Sequence, residues 1–185
     1  SEKGVTAIIE LIIGLDGLVF ANSKKSPQYN FSTAQLFSAL AERVEIGGEI
    51  YAAGFRPDGH RWRVGINRPQ KDAAFNEVYR VVSIFNQAFA TSGDYRNFFE
   101  IDGVRYSHVI DPRSGYPVSN GVVSVSVIAD NCTLADGLAT AIMVMGAEKG
   151  IQLVNRLHNV ECFIVVEKSD GRLVDFASAG FITLN

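Results

Sequence analysis

The chain is poor in the residues that build covalent or metallic scaffolds. Its 185 residues include two cysteines, Cys132 and Cys162, with no Cys-x-x-Cys spacing and no zinc-type pattern with the three histidines. A disulfide framework or structural zinc site is therefore not expected, and buried free thiols are the simpler reading. Positive charge is not in surplus either: 17 Lys and Arg stand against 20 Asp and Glu, a formal charge of -3. Nothing in that balance recommends nucleic acid or an anionic membrane as partner, so any polyanion must be held locally. Long apolar runs are missing as well. Residues 7–20 are greasy, but Glu10 and Asp16 interrupt them well short of the roughly 20 residues a membrane span requires. They read as two core strands around the Gly14 and Asp16-Gly17 turn signals, and no signal peptide is visible. Internal repeats and low-complexity tracts are absent too.

What the sequence does have is apolar content, 47% hydrophobic against 20% charged, enough for one domain with a proper core. Leu36, Phe37 and Leu40 behind Ser32 and Thr33 predict a short amphipathic helix. A different regime begins near Arg43. Residues 44–53 read as extended through Gly47-Gly48, and Arg56-Pro57-Asp58-Gly59 is a turn before a strand in which Trp62, Val64 and Ile66 alternate. Residues 78–84 and 88–91 look extended, and Asp102-Gly103 marks a hairpin. Residues 122–129 alternate valine and serine as a strand. The pattern then turns helical from Leu134 to Met145, stopped by Gly146, with a second helix from Ala147 to Leu157. Residues 161–166 and 173–176 form a hairpin about Asp170-Gly171, and residues 181–183 a last strand. Strands outnumber helices and the two long helices are consecutive, so the expected class is α+β with antiparallel sheets.

Three groups of residues carry candidate chemistry. Asp136 and Thr140 are four apart on a helix, hence on one face, and offer a carboxylate and a hydroxyl as hard oxygen ligands for Mg²⁺. Thr133-x-x-Asp136 reads equally well as a capping box, and the helix start is itself a place for a phosphate. His108 ends a strand next to Asp111-Pro112-Arg113-Ser114-Gly115, a turn rigid enough to project an acid and a guanidinium. In that setting Arg113 suits a phosphate, Asp111 either orients His108 or holds its own turn, and His108 suits a general base. Thr91-Ser92-Gly93 closes a strand where backbone can approach a ligand. His60 and His158 read as structural or solvent-facing.

From about Val44 to Asn185 the sequence resembles the C-terminal part of the ApbE family, the FAD:protein FMN transferases. The matching stretches are Glu45-Ile46-Gly47-Gly48-Glu49, Trp62-Arg63-Val64-Gly65-Ile66, Ala90-Thr91-Ser92-Gly93-Asp94-Tyr95, His108 through Pro117, and Ala135-Asp136-Gly137-Leu138-Ala139-Thr140-Ala141. The resemblance implies a T-fold-like α+β fold. It also implies transfer of the FMN half of FAD to a Thr or Ser hydroxyl of an acceptor flavoprotein, with Mg²⁺ and release of AMP. Asp136 and Thr140 match the family's metal positions and His108 its candidate base. Thr91, Ser92, Gly93, Asp111 and Arg113 are the expected cofactor contacts. A periplasmic or membrane-anchored location outside the cytoplasm goes with the resemblance.

Residues 1–43 do not resemble that family, whose members carry an Ala-Lys-Gly segment ahead of the Gly-Gly strand; no such motif occurs here. Residues 1–42 are instead similar to an internal piece of a PstS-type phosphate-binding protein. The expectation is a two-part chain, 1–43 and 44–185. Its alternative to flavin transfer is an impaired chimera or fragment that acts only as a flavin- or phosphate-binding module.

Overall fold

A computed structural model of the chain describes residues 5–13, 16–23, 49–56, 58–70, 73–74, 77–94, 98–101 and 104–184. The N-terminal strands β1 (Val5–Ile13) and β2 (Asp16–Ser23) pair as the antiparallel hairpin expected from their turn signals. The helix predicted around residues 32–41, the Gly47-Gly48 pair and the boundary near residue 43 lie outside the described residues.

Among the described residues the body of the fold is two antiparallel sheets and two helices. The strands are β3 (Glu49–Ala52), β4 (Trp62–Asn67), β5 (Val78–Ile84), β6 (Gln87–Gly93), β7 (Phe98–Ile101), β8 (Val104–Ser107), β9 (Ile110–Asp111), β10 (Tyr116–Pro117), β11 (Val122–Ala129), β12 (Glu161–Glu167), β13 (Leu173–Ala177) and β14 (Thr183–Leu184). The helices are α1 (Cys132–Met145) and α2 (Ala147–Val154). A five-stranded sheet runs β13-β12-β11-β6-β3 and a three-stranded sheet β14-β5-β4, with β7–β8 and β9–β10 as separate hairpins. This is the α+β class expected from consecutive helices among many strands.

Strand pleating sorts the core into two layers, because successive side chains point to opposite faces. Ala88, Ala90, Val125, Val127, Ala129, Cys162 and Ile164 meet Ala135, Ala139, Ile142 and Met143 of α1. On the other face Phe89, Ile128, Phe163 and Val165 meet Trp62, Ile66, Val82 and Ile84 of the smaller sheet. All eight residues of β11 are buried, so its serines do not form a solvent face as a valine–serine alternation would ordinarily imply. Ser126 survives there because its hydroxyl is hydrogen-bonded to that of Thr91 across the β6–β11 ladder, at 2.8 Å; a buried hydroxyl without a partner costs a few kcal/mol (about 1–3).

Two clasps fix these layers. Between sheets, Asp175 of β13 accepts from the Tyr79 hydroxyl and from Arg80 Nη2, both at 2.6 Å, and the Arg68 and Arg80 guanidinium groups lie 5.0 and 4.3 Å from the Tyr79 ring centre. At the end of α1, Asn120 Nδ2 donates to the Met143 carbonyl at 2.8 Å while its Oδ1 accepts from Val122 N at 3.0 Å. Gly146, at φ +86, lets the chain leave α1 beside that side chain and enter α2. The second helix stops at Val154 rather than running to Leu157. Arg156 and Leu157 instead donate to carbonyls three residues back, and Asn159 turns left-handed at φ 55.

Candidate active site

The helix that carries Asp136 and Thr140 begins two residues earlier than the apolar periodicity alone indicates. Asn131 is its N-cap, accepting from Leu134 N at 2.9 Å. Thr133 is therefore inside the helix, no capping box forms from it, and Asp136 sits in the second turn, beyond the reach of a capping acid. That leaves Asp136, Thr140 and Val144 one above the other on a single face.

This face is one wall of an open cleft of about 470 Å³, whose other walls are Glu49 of β3, Thr91, Ser92 and Gly93 at the end of β6, and His108, Val109 and Ile110 after β8. The cleft follows the flank of α1 rather than its N-terminus, so the helix start is not the anion position it offers. Helix and strand approach closely because small residues face each other there, Ala88 and Ala90 beneath Ala135 and Ala139. Ser92 continues the same row and its Oγ lies 3.0 Å from Thr140 Oγ1. Thr91 points to the opposite face, toward Ser126, and so lines the cleft without aiming its hydroxyl into it. Asp136, Thr140 and His108 are exposed.

A carboxylate and a hydroxyl one turn apart are a donor set that magnesium accepts when phosphates and water complete its octahedron. Among the described residues no group of three or more His, Cys, Asp and Glu is placed to hold a metal by itself, as a closed structural site would require.

The Asp111–Arg113 pair behaves differently from the expectation of a phosphate-holding guanidinium aimed at the site. Asp111 Oδ1 accepts from Arg113 N and Nε, both at 2.9 Å, and Oδ2 accepts from Nη2 at 2.6 Å. The carboxylate thus organises its own turn. Those hydrogen bonds hold the Asp111 carboxyl down at about 2. Neither residue lines the cleft, although Ile110 beside them does.

The thiols are quiet. Burial pushes the Cys162 thiol up to about 12, and burial followed by the charges of Glu49 and Asp136 raises that of Cys132. Sequence reasoning missed Glu49 as a cleft residue. No local signal marks it: its place beside Ser92 comes from the β3–β6 register, which sets Glu49 against Ala90. A second groove, of about 460 Å³, lies between Asp94, Ser107, Gly121 and Lys168 and contains none of the predicted site residues.

Fold and site together define an α+β protein with an open, oxygen-lined cleft between a sheet edge and a helix flank. The chain belongs to the ApbE family, whose family model matches residues 39–164. It is 47% identical over 138 residues to the FAD:protein FMN transferase of Vibrio cholerae, covering 75% of this chain and 40% of that protein. To the FAD:protein FMN transferase of Escherichia coli K12 it is 39% identical over 127 residues, covering 69% and 35%. Among solved structures it is similar to the flavin transferase ApbE of Vibrio cholerae, with a TM-score of 0.62 at 42% identity over 75% of this chain and 43% of that one. The ApbE protein of Thermotoga maritima gives 0.56 at 35% identity, over 69% and 40%. The chain thus spans about two fifths of the length of these relatives. The likeness of residues 1–42 to a phosphate-binding protein is not borne out by these comparisons, and the family match already begins at residue 39.

Proposed function

We propose that residues 44–185 form the catalytic portion of a magnesium-dependent FAD:protein FMN transferase, which moves FMN from FAD to a Thr or Ser hydroxyl of an acceptor flavoprotein and releases AMP. The observation that carries this reading is the convergence of His108, Asp136, Thr140 and the Thr91-Ser92-Gly93 strand end on one cleft. Asp136 and Thr140 would hold the magnesium ion. When bound, it supplies charge neutralisation for the pyrophosphate oxygens, which phosphoryl-type transfer demands more than covalent help.

The remaining work falls to the chain's own groups. His108 takes the proton from the acceptor hydroxyl as its oxygen forms a bond to the FMN-side phosphorus; the bond from that phosphorus to the bridging oxygen breaks and the electron pair leaves with AMP. The backbone at Thr91 and Gly93 and the Ser92 side chain bind the substrate against the sheet edge. Asp111 holds Arg113 in the turn that follows Ile110, from where the remaining guanidinium nitrogen would reach toward a bound flavin nucleotide. Family kinship supports a location outside the cytoplasm, periplasmic or membrane-anchored; no described helix is long and apolar enough to cross a membrane.

Incubation with FAD, Mg²⁺ and an acceptor flavoprotein tests the reading. A fluorescent acceptor band in a denaturing gel, lost in His108→Ala and Asp136→Ala, is expected. The alternative, a module that binds flavin nucleotide without transferring it, uses the same cleft. That reading predicts FAD binding with no labelled acceptor.

A further inference from the structure

Ser92 was expected among the ligand contacts, yet its hydroxyl is hydrogen-bonded to that of Thr140 at 3.0 Å, in a bond that either oxygen can donate. We propose that Ser92 is a positioning residue for Thr140. It accepts the Thr140 hydroxyl proton, which turns a Thr140 lone pair into the cleft as an oxygen donor for a divalent cation, and it presents its own O–H to a bound phosphate. The inference rests on the magnesium reading above.

A hydroxyl has one proton and two lone pairs, so an oxygen that is to bind a cation must send its proton elsewhere. A threonine within a helix ordinarily sends it back to the carbonyl four residues earlier. Here an acceptor from another element stands within reach instead. A bound cation also fixes the direction of the bond. By drawing electron density from the Thr140 oxygen it makes that group a better donor and a poorer acceptor, so the proton points from Thr140 to Ser92. The Ser92 proton is then directed away from Thr140, and because Ser92 lines the cleft, the cleft is where a partner for it would lie. Hydrogen bonds in such a chain strengthen one another.

The placement is rigid. Ser92 is held in the β6–β11 ladder opposite Val125, and α1 is seated on the same strand through Ala135 and Ala139. The outer partner of a metal ligand typically changes metal affinity by about 10- to 100-fold when removed.

The test is the affinity of the intact chain for Mn²⁺, read from the electron paramagnetic resonance signal of the free aquo ion in the presence of FAD. Thr140→Ala and Ser92→Ala should each weaken binding by about 10-fold or more. Ser92→Thr, which keeps the hydroxyl, should bind as the wild type does, and Ser92→Cys, near in size but a poor acceptor, should not. Circular dichroism confirms that each variant is folded, and Ser92→Thr against Ser92→Cys decides the matter if Ser92→Ala is not. Undiminished affinity in Thr140→Ala overturns the magnesium reading itself. Weakened binding in Thr140→Ala with none in Ser92→Ala or Ser92→Cys overturns the role of Ser92 and leaves that reading standing. Weak binding in Ser92→Thr shows that shape, not the hydroxyl, matters and likewise overturns the proposal.

Discussion

Replacing Gly150 by alanine sets helix propensity against packing, and the structure decides the sign. In an exposed helix the change stabilises by about 1 kcal/mol, because glycine loses more backbone freedom on folding. Gly150 is buried in α2, and a Cβ there would stand 2.5 Å from Ile142 Cγ2, 3.2 Å from Ile164 Cδ1 and 3.4 Å from Ile142 Cγ1. Ordinary carbon contacts lie at about 3.5–4.0 Å, so the first falls short by about 1 Å. Cγ2 is no flexible tip: Ile142 is β-branched and sits in α1, where one χ1 rotamer dominates, so the helices must part. Overpacking of this kind costs about 1–3 kcal/mol. A cost near the upper end, less the propensity gain, leaves a net loss of about 1–2 kcal/mol, or about 3–6 °C in Tm for a chain of this size. Thermal unfolding followed by circular dichroism measures it. A Tm equal to or above that of the wild type refutes the reasoning, since it would mean that α1 and α2 separate at little cost.

Three further outcomes are expected. Asp175→Ala removes the acceptor of both Tyr79 and Arg80 and should lower stability by about 1–3 kcal/mol in urea unfolding. Tyr79, raised by burial first and by Asp175 second, should then ionise at lower pH in an absorbance titration. Cys162, pushed up to about 12, should resist a disulfide reagent at pH 8 in the folded chain, and both thiols should react in urea; rapid labelling of folded Cys162 would contradict its burial. Arg113 depresses the Asp111 carboxyl, so the turn's electrostatic contribution is complete above the ordinary carboxylate range and is lost progressively as pH falls from there through about 2. A carboxyl NMR titration should place the midpoint there, and Arg113→Ala should return it toward the usual value for aspartate.

Local pattern made much of this fold legible in advance. The Trp62, Val64, Ile66 alternation, the valine–serine strand and the helix ending at Gly146 each carry their period in the sequence, and the structure keeps them. Asp136 and Thr140 were legible for the same reason, since a spacing of four on a helix fixes a shared face. The cap was not: Thr133 and Asn131 are both good caps, and only the observed bond to Leu134 N separates them. The end of α2 was missed because residues 155–157 continue its composition while the backbone tightens into a three-residue turn. Pairings across elements were invisible altogether. That Thr91 turns to Ser126 and Ser92 to Thr140 depends on the β6–β11 register and on how closely α1 lies on the sheet, and no single segment encodes either.

The bond from Asn120 to the Met143 carbonyl lies on neither wall of the cleft, yet it bears on how still the cleft stands. Asn131 secures one end of α1 and Asn120 the other, so the helix cannot fray from either side without breaking a side-chain bond. The two oxygens at Asp136 and Thr140 therefore ride on a beam pinned at both ends, and their spacing is set by helix pitch rather than by thermal motion. Loosening the pin at Asn120 would appear first as faster amide exchange in the last turn of α1, where Val144 closes one end of the cleft, before Asp136 and Thr140 farther up the helix had moved.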